Sequence, residues 1–544
     1  VRNTALASGA LAAAVVAGDV QAATYHVRPD GGDATQCTGL ADAPYPGSGT
    51  GQACAWDHPF RALPPGGVQP RRIAGGDTLL IGAGQYRMGF GAPGSQDCDA
   101  GGAWDCVMPA VPGGLSPAQR TRILGAGHAS GCAAPPQLWG TERAAQVLDL
   151  RGSSNVEVAC LEITDHSGCI EFHTGGLACT RDQPPYGPWA DTGLVAWDSG
   201  SVTLRDLNIH GLAVRGVLAG RLSNWTVERV RIAHNGLVGW DGDIPGFDGN
   251  TGVMSFRNWV VEWNGCAESY PGLVTNGCWA QEAGGYGDGV GLGFGGGTWL
   301  ISDSRFNYNT SDGLDLLYLN EPTARVELRR VEARGNAGNQ VKTRGHTLIE
   351  NAVLVGNCAF FAGQPFTYLV DHCRALGATL NLDFNAGTQV SLVNSTLYGE
   401  GDCIVGMDNA GCNGTESFVS RNNVFVGDVD FLQPFELACF AYNNGCPVNP
   451  LDQDRGIIFN VKNNPCPVGP GDLCSNPLLT NQAGDSFDAM PLSGSPALDT
   501  GLPVGGLVPS DDFRGWGRPV GPGVDRGALE RGATDLVFRD GFGG

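Results

Sequence analysis

Short runs of alternating apolar and polar residues recur along the middle of the chain, several of them ending on Asn or His close before a Gly. Val202-Thr-Leu-Arg-Asp-Leu-Asn-Ile-His210-Gly211 is one; Trp225 to Gly236, Phe256 to Gly265, Leu300 to Asn309, Val326 to Gly335 and Leu348 to Gly356 are others. Alternation is the period of a half-buried strand. Starts differ by 23 residues from Val202 to Trp225, 26 from Leu300 to Val326 and 22 from Val326 to Leu348, and two wider gaps hold insertions. Short strands repeating every 20 to 30 residues, with no helical stretch between them, predict an all-β chain wound as a parallel β-helix. Successive coils of such a solenoid pair about 4.8 Å apart, so residues one period apart stack in columns.

Composition agrees with this winding. Glycine accounts for 85 of 544 residues without a triplet repeat, which excludes collagen and suits the several sharp corners of each coil. A leucine-rich solenoid lacks its leucine ladder here, and propeller blades need periods nearer 40. With 42% hydrophobic residues the chain can build a core. Its net charge of −22 argues against a nucleic-acid partner.

Residues 1–22 carry one arginine, a small apolar run from Leu11 to Ala17, and the small-residue pattern Val20-Gln21-Ala22. They read as a secretory signal peptide, and no later run is long enough for a membrane span. A secreted address, extracellular or periplasmic, is expected. The 18 cysteines all follow that segment, and an even number in an exported chain favours disulfides. Near neighbours are expected to pair as loop staples: Cys98 with Cys106, Cys169 with Cys179, Cys266 with Cys278, Cys358 with Cys373, Cys403 with Cys412, Cys439 with Cys446 and Cys466 with Cys474. Cys37 with Cys54 and Cys132 with Cys160 complete the set. The chain divides into opening and capping coils (23–150), central coils (151–430), cysteine-rich closing coils (431–532) and a tail (533–544).

The chemistry-bearing stretch runs from Asp288-Gly289 through Asn309-Thr-Ser311-Asp312-Gly313-Leu314-Asp315-Leu316 to Gly338-Asn-Gln-Val-Lys342-Thr-Arg344-Gly345. Asp288 to Asp312 is 24 residues and Asp315 to Lys342 is 27, each close to one coil. The spacing therefore stacks Asp288, Asp312 and Asp315 on neighbouring coils, with Lys342 one coil further. Taken singly, an Asp-Gly is an ordinary turn and a lysine is an ordinary surface charge. Yet only Lys342 and Lys462 among the 33 basic residues are lysines, so this chain supplies surface positive charge with arginine. Arginine does not give up its proton, whereas a lysine beside other cations can act as a base. Three aspartates offer the hard oxygen donors that calcium takes. A uronate carboxylate neutralised on such an ion has a more acidic hydrogen on C5, and a neutral lysine could remove it.

Two resemblances add to this reading. Thr24 to Gly31, Pro59 to Leu63, Gly75 to Tyr86, Gly494 to Gly501 and Asp512 to Glu530 look like the opening and closing coils of secreted bacterial right-handed parallel β-helix proteins. Asn309-Thr-Ser-Asp-Gly-Leu-Asp-Leu316 resembles the Asn-Ser-Asp-Asp-Gly-Trp-Asp-Leu stretch of the family nine polysaccharide lyases, and Asn339-Gln-Val-Lys342 is similar to their lysine segment. That resemblance implies calcium on Asp288, Asp312 and Asp315, Lys342 as the base, and β-elimination on an acidic, pectate-like polysaccharide; a monomer is expected. Ser311 departs from the pattern, because the family has Asp there.

Around the column, Arg344 falls two residues past Lys342 on the same face, placed to pair a sugar carboxylate or lower the lysine pKa. Arg330 and Arg334, from the preceding coil, are candidates for substrate binding, with surface decoration as the alternative. Trp240 to Asn250 is an acidic loop that could hold a second calcium. A glycan-binding or adhesive β-helix without chemistry is the second functional reading. A β-helix glycoside hydrolase is third, because no Gly-His-Gly or Arg-x-Lys motif occurs.

Overall fold

A computed structural model describes residues 22–170, 186–244, 246, 249–279, 287–319, 323–357, 360–361, 366–368, 378–400, 403–429, 439–446, 452–462 and 465–532. The expected signal segment up to residue 21, the tail, Cys179, Cys358, Cys373 and Asp248 lie outside them.

The chain is a parallel β-helix. Its strands form a 21-stranded ladder and a 10-stranded ladder, with a three-stranded and a two-stranded sheet beside them. Short 3-10 turns, among them Pro59–Arg61 and Ala100–Asp105, are the only helical structure among the described residues. No helix there is long and apolar enough to cross a membrane.

Register converts the sequence alternation into columns. Leu204, Val227, Phe256, Ile301, Leu328, Ile349 and Leu392 are successive Cα partners, all buried. On the 10-stranded ladder the corresponding interior column is Val217, Trp240, Val290, Leu314, Val341, Leu380 and Val405. Between them Phe256 stacks on Trp299 with ring centroids 5.1 Å apart, close to one coil rise. Each interior side chain thus packs against the same kind of neighbour above and below, which makes the solenoid core continuous.

One corner of six successive coils is a single residue in the left-handed region. Asp206, Arg229, Asn258, Asp303, Arg330 and Asn351 have φ between 50° and 55°. A second corner is tied by an internal amide ladder. Asn235, Asn264 and Asn309 each donate Nδ2–H to the next Oδ1 at 2.9 Å, and Asn336 donates to Gln340 Oε1 at 2.8 Å. Asn235, Asn264 and Asn309 are the asparagines at the ends of their sequence runs, and the buried amides are satisfied by one another and by backbone carbonyls, as Asn309 donates to Val261 and Asn336 to Phe306.

Disulfides 37–54, 98–106, 132–160, 266–278 and 466–474 are as expected. The pairs Cys403–Cys412 and Cys439–Cys446 are corrected: Cys403 joins Cys439, and Cys412 joins Cys446. Strands Cys403–Gly411 and Cys439–Asn444 are neighbours with Cys403 opposite Cys439, so these bonds tie coil to coil instead of closing loops.

Candidate functional site

Two consecutive coils place the aspartates, and the next one carries the lysine. Asp288 precedes strand Val290–Gly291, Asp312 precedes Leu314–Leu316, and Asp315 lies within the latter. Val290 pairs with Leu314, and Asp315 pairs directly with Lys342 of strand Val341–Arg344. The glycine after each of the first two aspartates serves close approach. A Cβ on Gly289 would lie 2.7 Å from Asn309 Nδ2, and one on Gly313 would lie 2.5 Å from Asn336 Nδ2 and 2.6 Å from the Gln340 carbonyl. Asp-Gly recurs here because the backbone beyond each carboxylate rests on the asparagine ladder.

The side chains converge. Lys342 Nζ donates to Asp312 Oδ2 at 2.6 Å and to Asp315 Oδ2 at 3.2 Å. Asp288, Asp312 and Asp315 each bring one carboxylate oxygen within 4.8 Å of the other two. Backbone donors fix them: Asp312 N–H donates to Asp288 Oδ1 at 2.9 Å, Leu317 N–H to Asp315 Oδ1 at 2.8 Å, and Asn339 N–H to Asp312 Oδ1 at 2.6 Å. Asp288 and Asp312 are 1% exposed, Asp315 8%.

Crowding of like charges away from water sets the protonation pattern. Burial, then Asp312 and Asp315, push the Asp288 carboxyl up to about 7. Burial also raises Asp315, against the pull of Lys342. Burial alone would lower the Lys342 ammonium, but the carboxylates of Asp312, Asp315 and Asp288 outweigh it and hold it above the ordinary lysine value. Ser311, at the position where the resembling family has Asp, is a neutral hydrogen-bond partner of Asp288 and adds no fourth charge.

A cleft of about 500 Å³ opens over the cluster, lined by Arg215, Asp241, Asp243, Asp288, Gly291, Asp315, Tyr318 and Lys342 among others. Arg215 ion-pairs with Asp241. Among the residues singled out in sequence, Asp288, Asp312, Asp315 and Lys342 are therefore brought together. Arg344 faces the same way as Lys342 but binds Asp383, with its Nε 2.7 Å from Oδ2, and lies over the Tyr318 ring at 5.9 Å.

Arg330 and Arg334 are not brought to the column. They belong to the other ladder, where Arg330 holds Asp303 and Asp511 while Arg334 donates to the carbonyls of Asp485 and Phe487. Both tie the closing segment to the coils. In the acidic loop, Asn250 Oδ1 accepts from Leu222 N–H and so serves the backbone. Arg215 and Tyr318 went unnoticed in sequence. Arg215 stands opposite Val238 on the next coil, three residues before Asp241, so coil spacing alone did not pair it with that carboxylate.

No family model and no curated protein matches this sequence. Among solved structures the chain is similar to pectate lyase Pel9A, with 13% identity over 93% of this chain and 96% of that one, at a TM-score of 0.44. It is also similar to an alginate lyase from Paenibacillus sp. str. FPU-7, with 13% identity, coverage of 69% and 92% and a TM-score of 0.32. A rhamnogalacturonan lyase shares 11% identity over 78% of this chain and 85% of that one, at 0.37.

Proposed function

We propose that the protein is a polysaccharide lyase that cleaves a uronate-containing, pectate-like polymer by β-elimination, with calcium held by Asp288, Asp312 and Asp315. The observation that carries this reading is the convergence of three buried carboxylates on one lysine at the floor of an open cleft. The donor set suits the ion, since three carboxylates from neighbouring coils offer hard oxygens without thiolate or imidazole. When bound, calcium supplies charge neutralisation to the uronate carboxylate and so acidifies the adjacent C5 hydrogen.

The chain's own residues do the rest. Lys342, held as an ammonium by its carboxylate neighbours, would take the C5 proton in its amine form, which a cation on those carboxylates would favour by offsetting their pull. The C5–H electron pair becomes the C4–C5 double bond, the C4–O bond breaks, and the departing oxygen is protonated from solvent. Asp312 and Asp315 hold the lysine nitrogen on the side of the cleft from which the proton is taken. Asn339 and the backbone donors keep those carboxylates aimed while substrate enters.

The test is incubation of the full chain with uronate polymers in calcium and in chelator, following ultraviolet absorbance of unsaturated uronide. Calcium-dependent absorbance is expected. Reducing ends without absorbance would identify a hydrolase instead, and binding without either product a glycan-binding protein.

A further inference from the structure

The cleft is long in one direction. Its lining comes from five successive strands, those carrying Arg215, Asp241, Gly291, Asp315 and Lys342, so it spans four coil steps, about 19 Å along the stack. A polymer seated over the cluster runs along this direction. Beyond Lys342 the outward columns of the same ladder continue through Asn381 to Tyr442 on one side and from Arg344 through Asp383, Asp408 and Asn444 on the other.

The charge along this track is unusual for a surface meant to hold a polyanion. Outside the central cluster it carries four carboxylates, Asp241, Asp243, Asp383 and Asp408, against two guanidiniums, Arg215 and Arg344. Each guanidinium is already matched, Arg215 by Asp241 and Arg344 by Asp383. Asp408 is met by neutral donors: Asn381 Nδ2 at 3.0 Å, Asn444 Nδ2 at 3.3 Å and the Tyr442 hydroxyl at 3.5 Å. At the other end Asp243 sits beside Asp241, with burial and then that neighbour raising its carboxyl. Neither flank thus holds, among the described residues, a guanidinium that is not already matched by a carboxylate, and both offer hydroxyl-binding amides, a phenol or further negative charge.

Resting on the lyase reading above and narrowing its uronate-containing polymer, we infer that the substrate is a heteropolymer in which each uronate is separated from the next by neutral sugar, in preference to an uninterrupted polyuronate such as pectate itself. A chain charged at every unit sets carboxylates against Asp243 and Asp408, which costs affinity by like-charge contact. Neutral units there find hydrogen-bond partners instead.

The experiment compares oligosaccharides of equal length, one uniformly uronate, one alternating uronate with neutral sugar, and one uniformly uronate but methyl-esterified at alternate units. Binding to the full chain in calcium is measured by calorimetry at low and high salt, and cleavage by absorbance in parallel. Both sparsely charged oligosaccharides are expected to bind roughly tenfold or more tighter than the fully charged one, with the gap narrowing as salt screens the repulsion. Tight binding of the esterified form alone would place the selectivity in methyl recognition and overturn the alternating-sugar assignment. Asp408→Asn and Asp243→Asn are expected to raise affinity for the fully charged oligosaccharide. Equal or tighter binding of the fully charged form, unmoved by either substitution, overturns the inference while leaving the lyase reading intact. Absence of unsaturated product from every oligosaccharide overturns the lyase reading, and the affinity ranking still decides the subsite inference.

Discussion

Lys342→Met isolates the electrostatics of the cluster. The ammonium lies 2.6 Å from Asp312 and 3.2 Å from Asp315, and its side chain is only 11% exposed. Removing it leaves three carboxylates facing one another with little water. Deleting one partner of a buried ion pair costs about 3–5 kcal/mol. At about 2.1 cal/mol/K per residue, roughly 500 folded residues have an unfolding entropy near 1 kcal/mol/K, so the loss appears as a fall of about 3–5 °C in midpoint. Calcium at about a hundred times its dissociation constant returns about 2.7 kcal/mol. Thermal unfolding in chelator and in calcium reads both effects: the variant should fall in chelator and recover most of the deficit in calcium. It should also bind calcium more tightly than the parent, because the competing internal cation is gone. A variant as stable as the parent in chelator, or one that calcium does not rescue, refutes the picture of three carboxylates sharing one removable cation.

Three further outcomes follow from the geometry. Ser311→Asp adds a fourth carboxylate beside Asp288, and titration calorimetry should show tighter calcium binding alongside a lower midpoint in chelator; unchanged calcium affinity would mean that Ser311 does not face the site. Gly313→Ala drives a methyl into the Asn336 amide and the Gln340 carbonyl, so it should cost about 2 kcal/mol or more and weaken calcium binding by displacing Asp312; an unperturbed midpoint counts against the close-approach argument. His210 is clamped by Glu268 at 2.5 Å and Glu162 at 2.9 Å, and although burial opposes it these carboxylates raise its pKa to about 9. Because the folded value exceeds the unfolded one near 6.5, the stabilisation of about 3 kcal/mol is complete below pH 6.5 and is lost as pH rises through about 9. The midpoint gap between parent and His210→Gln should therefore shrink from pH 6 to pH 10, and a constant or widening gap contradicts the clamp.

The legibility of the sequence follows from which features repeat. Alternation and spacing carry the coil, and the 27-residue step from Asp315 to Lys342 is the observed register. Leu300 and Val326, taken by pattern as equivalent starts, are one residue out of step: Leu300 pairs with Glu327 and Trp299 with Val326. Corner lengths vary by single residues that alternation does not record. Arg330 looked like a substrate-binding candidate because its left-handed corner position is invisible in a strand pattern. The extension through Asn381, Asp383 and Asp408 was hidden by the insertion after Gly356, which breaks the period before strand Leu380–Asn385 resumes it. Cysteine pairing failed where the covalent link joins adjacent coils, since sequence proximity favours loop closure and register favours the neighbour across the ladder.

The central claim is that Lys342, held among Asp288, Asp312 and Asp315, is the base of a calcium-dependent elimination. The most direct measurement is the rate of unsaturated uronide formation from uronate polymers by the parent chain and by Lys342→Ala, each in calcium and in chelator. The account predicts product only with calcium, and a loss of about a hundredfold or more in the variant, the usual range for a missing general base. Product that persists in Lys342→Ala, or that forms equally well in chelator, contradicts it.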